Sequence, residues 1–152
     1  MGESDTIDEI LEFAIAREIE ANQFYIEMAE WLENPAMREL VMEFAKEELE
    51  HKAKLELEVL KSGKVLRPVR KRAEFRAADY MVDFGVEPDM DYKDLLRVAI
   101  KKEKKSLKLY VDLAAIIDDK DSREVLLSIA EEEAGHKALF EIEYDEAKLR
   151  RN

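Results

Sequence analysis

The sequence predicts an all-α fold, a four-helix bundle built from two antiparallel helical hairpins. Its 152 residues include only four Gly and three Pro, while 41% are charged, a composition that favours long helices. Apolar residues recur at alternating spacings of three and four, which places them on one face of each helix. The second half of the chain also repeats the first at an offset of 85 residues, which indicates two similar hairpins.

The repeat aligns residues 14–29 with residues 99–114 and residues 44–58 with residues 129–143. In the second pair, eight of fifteen positions are identical. A chain rich in Glu would match a few Glu by chance, but chance does not readily place both His and two Tyr at one offset. The repeated residues that could bind a metal or transfer a proton are Glu18 and Glu103, Glu48 and Glu133, His51 and His136, and Tyr25 and Tyr110.

The four helices can be bounded from their end signals. Thr6 with Glu9 forms a capping box for α1. Asn34, followed by a proline, ends α1 and caps α2, and Asp121 with Glu124 is expected to cap α4. The expected bounds are Thr6 to Leu32 for α1, Pro35 to Lys61 for α2, Asp91 to Asp118 for α3, and Asp121 to Leu149 for α4.

The segment between α2 and α3 is long enough to cross the length of the bundle. Such a crossover makes α2 and α3 parallel and relates the two hairpins by a pseudo-two-fold axis at mid-bundle. Its basic residues are expected either to pair with acidic helix faces or to form a docking surface for an acidic partner. A short helix lying over the bundle is expected from its apolar residues, Val69, Phe75, Tyr80, Met81 and Phe84.

Charged and polar residues interrupt the apolar stripe at the middle of each helix. Glu-x-x-His places a carboxylate and an imidazole one turn apart, so both can reach one metal ion. Two such motifs, with one Glu from each remaining helix, give a carboxylate-bridged dinuclear site. The candidate ligands are Glu18, Glu48, His51, Glu103, Glu133 and His136.

Charge supports a dinuclear metal site over a solvated helix face. Four buried carboxylates carry a charge of −4, which is costly without compensation, and two divalent cations supply +4. Carboxylates with one imidazole per metal suit iron or manganese, and zinc is a further substitute. A single Glu-x-x-His is usually a solvated face, but two related copies on core stripes favour the metal site.

Other repeated residues leave alternatives open. Tyr25 and Tyr110 are either core aromatics or donors to ligand carboxylates, because a buried hydroxyl needs a partner. Glu47 and Glu132 also repeat, but they lie off the stripe and are expected to be exposed. Gly135, inside the second motif, either admits a substrate or a close helix contact, or has no special role.

These residues resemble the ferritin-like di-iron carboxylate superfamily, specifically its rubrerythrin-like branch. The resemblance covers nearly the whole chain and consists of Glu followed by Tyr seven residues later on α1 and α3, with Glu-x-x-His on α2 and α4. It implies two iron ions, with Glu48 and Glu133 as bridging carboxylates. Glu18 and Glu103 would be terminal ligands, and each His would complete one iron.

The resemblance also implies a di-iron oxidoreductase that reacts Fe(II) with hydrogen peroxide or dioxygen. Two departures matter. The chain has no Cys and so lacks the four-Cys rubredoxin domain, which implies an external electron donor such as a rubredoxin-type protein. Ser106 also stands where rubrerythrins carry an extra Glu. Two other functions stay open: an iron-binding and transfer protein without turnover, and a bundle that uses metal for stability alone.

Composition sets the remaining expectations. The net charge of −12 argues against nucleic acid and anionic membranes as partners. No apolar run approaches the length of a membrane span and no secretory signal is apparent, so a soluble cytoplasmic single domain over residues 1–152 is expected. A homodimer is expected because α1 carries apolar residues beyond its core stripe. These are Phe13, Ile15, Ile19, Phe24, Ile26 and Trp31.

Overall fold

A computed structural model describes residues 7–61, 77–82 and 85–150. It has no strands in these residues, which confirms the predicted all-α four-helix fold. The expected short crossover helix is present as a single 3₁₀ turn. Several residues named above lie outside the described residues: Thr6, Val69, Phe75, Phe84 and the basic residues at 64–76. The elements are α1 (Ile7–Trp31), α2 (Pro35–Lys61), the 3₁₀ turn (Ala77–Tyr80), α3 (Tyr92–Ile116) and α4 (Lys120–Leu149).

The N-terminal cap of α2 lies where the sequence predicts it, and α3 begins next to Asp91, as its expected bounds indicate. The Asn34 side chain accepts hydrogen bonds from the backbone N–H groups of Ala36 and Met37, at 2.9 and 3.1 Å. Asp91 and Asp94 form a reciprocal capping box at the start of α3. Both caps satisfy backbone donors that a helix start otherwise leaves unpaired.

The predicted cap of α4 is wrong by two residues. Asp119, not Asp121, is the N-cap, because its backbone is extended and its carboxylate accepts a hydrogen bond from the Ser122 N–H at 2.9 Å. Asp121 lies instead in the first turn, where its negative charge favours the helix dipole. Several Asp residues precede α4, so the capping pattern alone did not distinguish between them.

Contacts across the bundle fix the relative directions of the helices. Tyr25 contacts Glu103 while Tyr110 contacts Glu18, so α1 and α3 are antiparallel. Contacts between α2 and α4 follow the same reversed order. Since each hairpin is itself antiparallel, α2 and α3 run parallel, as the long crossover predicts.

The apolar core forms two clusters, one towards each end of the bundle. Candidate ligands occupy the middle of the helices and separate the two clusters, so the polar site has apolar side chains above and below it. This arrangement limits the access of bulk water along the bundle axis. Representative members are Leu11, Leu55, Leu113 and Leu126 in one cluster, and Met28, Phe44, Leu96 and Phe140 in the other.

The 3₁₀ turn fixes the end of the crossover against α3. Tyr80 is buried, and its hydroxyl donates a hydrogen bond to Asp112 at 2.8 Å. The Lys105 ammonium donates to the Asp79 carbonyl at 3.0 Å. Among the described helices, none is long and apolar enough to cross a bilayer.

The surplus apolar residues of α1 are partly covered within the single chain. Phe24 is buried, while Phe13 and Ile15 pack half-buried against one core cluster. Ile19 and Trp31 remain exposed, and so does Ile26. A smaller apolar surface is therefore left than the sequence alone suggests.

Replacement of Gly135 by alanine should stabilise the protein. Gly135 is exposed inside α4, and a Cβ atom placed there would meet no heavy atom within 4 Å. We expect Gly135→Ala to raise the free energy of unfolding of the metal-free protein by about 1 kcal/mol, because alanine loses less backbone entropy in a helix. Urea unfolding measures the change.

Ala138→Gly, at an exposed position of the same helix, is the matched control and should lower the free energy of unfolding by a similar amount. A Gly135→Ala variant that is no more stable than the parent would contradict this account. It would show that Gly135 is required for a contact or for access.

Candidate metal centre

The structure brings all six candidate ligands together in the interior. Eight polar or charged side chains are buried among the described residues, and six of them are these ligands. None of the six is more than 3% exposed. Two of the other residues that the repeat singled out, Tyr25 and Tyr110, are buried beside them.

Helix geometry explains the convergence. The ligands on α2 are Glu48 and His51, and a spacing of three residues puts both on the face that turns inward. The same spacing on α4 presents Glu133 and His136. The α1 and α3 helices each add one carboxylate at the level of the bundle where the pseudo-two-fold axis passes.

The six side chains form two overlapping groups of four. In each group the ligand atoms all lie within 4.8 Å of one another. Glu48 and Glu133 belong to both groups, which is the position that bridging carboxylates would occupy. Glu18 and His51 complete the first group, and Glu103 and His136 complete the second.

Several carboxylate oxygens in this cluster have no hydrogen-bond partner among the described residues. They are Oε1 of Glu18, Oε1 of Glu103 and both oxygens of Glu133. Buried polar atoms are nearly always satisfied, so this concentration of unpaired acceptors calls for a cation. The donor set of four carboxylates and two imidazoles therefore fits a pair of divalent metal ions.

In the metal-free protein, the carboxylates repel one another. Burial, followed by the charges of Glu133 and Glu103, raises the pKa of Glu48 well above its ordinary value. Burial and the charge of Glu133 raise the pKa of Glu103 to about 8, although His136 opposes the change. Without metal, Glu103 therefore holds a proton over much of the neutral range, and the pKa of Glu48 is shifted in the same direction.

The two imidazoles respond to this negative environment. Burial alone would lower the pKa of His51, but the nearby carboxylates of Glu133 and Glu18 outweigh it and raise the pKa to about 11. For His136, burial is likewise outweighed, here by Glu103 and Glu133, and the pKa rises to about 10. Both rings are therefore cationic at neutral pH when no metal is present.

The orientation of each ring suits metal binding through Nδ1. His51 Nδ1 lies 3.0 Å from Glu48 Oε1 and 3.6 Å from Glu18 Oε1, so it faces the cluster. His136 Nδ1 lies 3.1 Å from Glu103 Oε2 and also faces the cluster. The Phe44 ring stacks on the His136 ring at 3.9 Å between centroids and restricts its rotation.

The other ring nitrogen of each His meets a carboxylate that the sequence reading missed. His51 Nε2 lies 2.6 Å from Glu132 Oε1, and His136 Nε2 lies 2.6 Å from Glu47 Oε1. The side chain of Glu47 is only 31% exposed and that of Glu132 is 44% exposed. Glu132 is therefore exposed, as expected, whereas Glu47 is only partly exposed, and each carboxylate pairs with a His ring of the facing hairpin.

A signal for these contacts was present in the sequence. Glu47 and Glu132 occupy equivalent positions of the 85-residue repeat, directly before the two bridging candidates. Their position off the core stripe hid them, because a partner on the facing helix cannot be read from one helix alone. Carboxylates of this kind fix the tautomer and the orientation of a ligating imidazole.

The two tyrosines hold the remaining candidate ligands. Tyr25 donates a hydrogen bond to Glu103, and Tyr110 donates one to Glu18, so each reaches the facing helix rather than its own. Burial, followed by the nearby carboxylates, raises the pKa of both hydroxyls well above the ordinary value. Both therefore stay protonated and act as donors.

A small cavity lies on the side of the bundle between α1 and α3. Ala21 and Ser106, one turn beyond Glu18 and Glu103, line a cavity of about 20 Å³ there. That volume is enough for roughly one water molecule. On the opposite side, the pairs of Glu47 and Glu132 with the two His rings lie between α2 and α4.

Comparisons with known proteins agree with this geometry. A sequence profile described as Rubrerythrin matches residues 9–144. None of the curated proteins matches the chain significantly.

Solved structures with this fold share little sequence with the chain. A putative ferritin-like di-iron carboxylate protein from Thermotoga maritima is 23% identical, with a TM-score of 0.80 over 95% of this chain and 98% of that one. A hypothetical protein from Pyrococcus furiosus is 24% identical, with a TM-score of 0.73 over 92% and 89% of the two chains. A manganese catalase from Anabaena is 16% identical, with a TM-score of 0.67 over 97% and 75%.

Loss of the carboxylates that hold the His rings should weaken metal binding. We expect Glu47→Gln and Glu132→Gln each to reduce the affinity for Fe(II) or Co(II) by about 10- to 100-fold, because the imidazole loses its orienting acceptor. Competition with a chelator measures the affinity. Glu50→Gln, at an exposed position on α2, is the control and should bind metal as the parent does. Equal affinity in all variants would contradict the role of Glu47 and Glu132 in orienting the His rings.

The metal-free protein should lose stability as the pH rises from 5 to 8. The folded pKa of Glu103 is about 8 against an ordinary value of 4.5, so the folded state binds more protons than the unfolded state across this window. Glu48, whose folded pKa is also raised, acts in the same direction. His51 and His136 add to the loss above about pH 6.5, because their folded pKa values are raised as well.

Bound metal should reverse this trend, since it requires ionised carboxylates and neutral imidazoles. The difference in melting temperature between metal-loaded and metal-free protein should therefore widen from pH 5 to pH 8. Thermal unfolding at each pH measures the difference. A metal-free protein that melts with the loaded one at pH 8 would rule out a buried four-carboxylate site.

Proposed function

The chain belongs to the rubrerythrin family, and on this premise we propose that it is a di-iron oxidoreductase that reduces hydrogen peroxide or dioxygen. The observation that carries the proposal is the pair of overlapping ligand groups that share Glu48 and Glu133. A dinuclear site suits this chemistry, because two metals can deliver two electrons to one oxidant. Manganese and zinc fit the same donor set, although zinc has no redox chemistry and would not support this reaction.

Each residue has a defined part in this proposal. Glu48 and Glu133 would bridge the two irons, while Glu18 with His51 and Glu103 with His136 would complete them. When bound, the ions would polarise the oxidant and supply electrons to it. The chain's own contribution is to hold these ligands in place and to keep bulk water out.

The α1–α3 side is the proposed approach for the oxidant. The cavity at Ala21 and Ser106 has room for about one water-sized molecule. Tyr25 and Tyr110 stand one turn further along, and their hydroxyls hold the terminal carboxylates. An approach from this side would therefore favour a small oxidant over a larger substrate.

A second candidate function is iron binding and transfer without redox turnover. The observation that favours it is Ser106, which occupies the position where the family pattern has an extra Glu. A serine hydroxyl at this position cannot ligate a metal as a carboxylate does. Without that group, the ligand set at α3 is limited to Glu103. Reaction kinetics distinguish the two functions.

We also propose a homodimer through the outer face of α1 and α2. Four of the seven exposed large apolar side chains on this hairpin recur at a spacing of seven residues on each helix: Ile19, Ile26, Met42 and Leu49. Asn22 and Ala45, which are hydrogen-bonded to each other across the hairpin, lie between them along the two helices. A two-fold interface of like surfaces would cover all four side chains.

Hydrogen peroxide should oxidise the Fe(II)-loaded protein faster than dioxygen does, if the redox proposal is right. Stopped-flow absorption after anaerobic loading measures both rates. Glu48→Ala should lose this reaction, because a bridging carboxylate is missing, whereas Glu50→Ala should retain it. A dioxygen rate equal to or above the peroxide rate would favour a ferroxidase-like role, and no reaction with either oxidant would favour iron transfer.

Substitution of Ile26 by glutamate should dissociate the dimer, since it places a charge in the apolar interface. Light scattering behind a sizing column measures the mass at micromolar concentration. Ile142→Glu, an equally radical change at an exposed apolar residue of α4, should leave the dimer intact. A parent protein that is already monomeric would rule out this interface.

A further inference from the structure

A lysine-rich groove lies on the outer surface of α3 and α4, and two of its lysines are in ion pairs, Lys108 with Asp112 at 2.9 Å and Lys137 with Glu141 at 3.0 Å. Its volume is about 920 Å³, and it is lined by five lysines, one aspartate and four apolar residues. Such a concentration of lysine is unexpected on a chain with a net charge of −12.

The internal repeat shows that the fold does not require these lysines. At the offset of 85 residues, Lys104 corresponds to Ile19 and Lys108 to Gln23. Of the five lysines, Lys137 alone has a basic counterpart, Lys52. The positive charge is therefore a feature of the second hairpin that the shared bundle architecture does not explain.

The shape and chemistry of the groove suit a protein rather than a small anion. Four of its lysines lie between residues 101 and 108, and at 1.5 Å per residue they spread over roughly 10 Å along α3 instead of converging on one point. Its floor includes Val111 and Met81, which are 45% and 44% exposed. An apolar floor with a charged rim is the arrangement found at protein–protein interfaces.

The groove lies along the same turns of α3 and α4 that carry the candidate ligands. Lys104 follows Glu103 in the sequence, and Lys137 follows His136, so the lysines lie on the outer side of the helices whose inner side carries the ligands. An α-helix with its side chains is about 10–12 Å across. A protein seated in the groove is therefore separated from the metals by roughly one helix thickness.

We propose that this lysine groove is the docking surface for an acidic one-electron carrier protein that reduces the metal centre. The inference rests on the proposed redox function and names its electron source. The chain contains no Cys, and so it has no thiolate-bound iron–sulfur cluster of its own. The carrier is oxidised by one electron in each encounter, and two encounters return a di-ferric pair to the di-ferrous state without transfer of any atom.

Binding and electron transfer to a rubredoxin, a small acidic iron–sulfur protein, provide the test. Calorimetric titration of the oxidised iron-loaded protein with oxidised rubredoxin measures binding without turnover, and stopped-flow mixing with reduced rubredoxin measures electron transfer. We expect Lys104→Glu/Lys108→Glu to lower both the affinity and the second-order rate constant by about tenfold or more at low salt. Lys46→Glu/Lys120→Glu, the same charge change at exposed positions elsewhere, should change neither by more than about twofold.

Several results would overturn the proposal. The first is that the parent does not bind rubredoxin at low salt, and the second is that both double variants lose affinity equally. The third is a change in the oligomeric mass of Lys104→Glu/Lys108→Glu, because that change would make the groove an interface between copies of the chain. Stronger competition by phosphate than by chloride at equal ionic strength would indicate a small-anion site. Lys104→Gln/Lys108→Gln, with a smaller loss, checks that the effect is electrostatic and not a folding defect.

The same variants separate this proposal from the redox function itself. Lys104→Glu/Lys108→Glu loaded directly with Fe(II) should react with peroxide at the parent rate, because neither lysine contacts the cluster. If the parent does not react with peroxide at all, the redox function fails. If it reacts but rubredoxin does not bind in the groove, this docking surface alone is wrong.

Discussion

Four carboxylates and two imidazoles buried at the centre of an otherwise apolar bundle are the constraint on which the rest of the structure depends. Charges in such surroundings are strongly destabilising unless they are paired. Here the unpaired oxygens of Glu18, Glu103 and Glu133, together with the raised pKa of Glu48 and Glu103, show that the protein alone does not satisfy them. Two divalent cations would supply the missing charge, so metal binding and stability are coupled in this fold.

The surroundings of the cluster follow from that constraint. Each terminal carboxylate is held by a tyrosine from the facing helix, and each His ring is held by Glu47 or Glu132 from the facing hairpin. All of these contacts join one hairpin to the other, so the polar site also fixes their register. Apolar clusters on both sides keep the site away from bulk water. The inner face is nearly symmetric, whereas the outer faces differ, being apolar on α1 and α2 and lysine-rich on α3 and α4.

The sequence alone predicted the features that depend on a single helix face or on the internal repeat. Spacing predicted the four helices and the inward position of Glu18, Glu48, His51 and their repeats, because helical periodicity determines which face a residue occupies. Contacts between helices were harder to predict. The contacts of Glu47 and Glu132 with the His rings cannot be read from one helix, since their partners lie 89 and 81 residues away in the chain. Asp119 was missed as a cap because backbone conformation, not residue type, distinguishes it from Asp121.

Anomalous X-ray diffraction from crystals of the iron-loaded protein, measured at the iron absorption edge, tests the central claim most directly. The account predicts two peaks per chain, about 3.5–4 Å apart, as in other two-metal sites. Glu48 and Glu133 should contact both peaks, with one His at each. A single peak, or two peaks that do not share these carboxylates, would contradict the claim that the cluster is a carboxylate-bridged dinuclear centre.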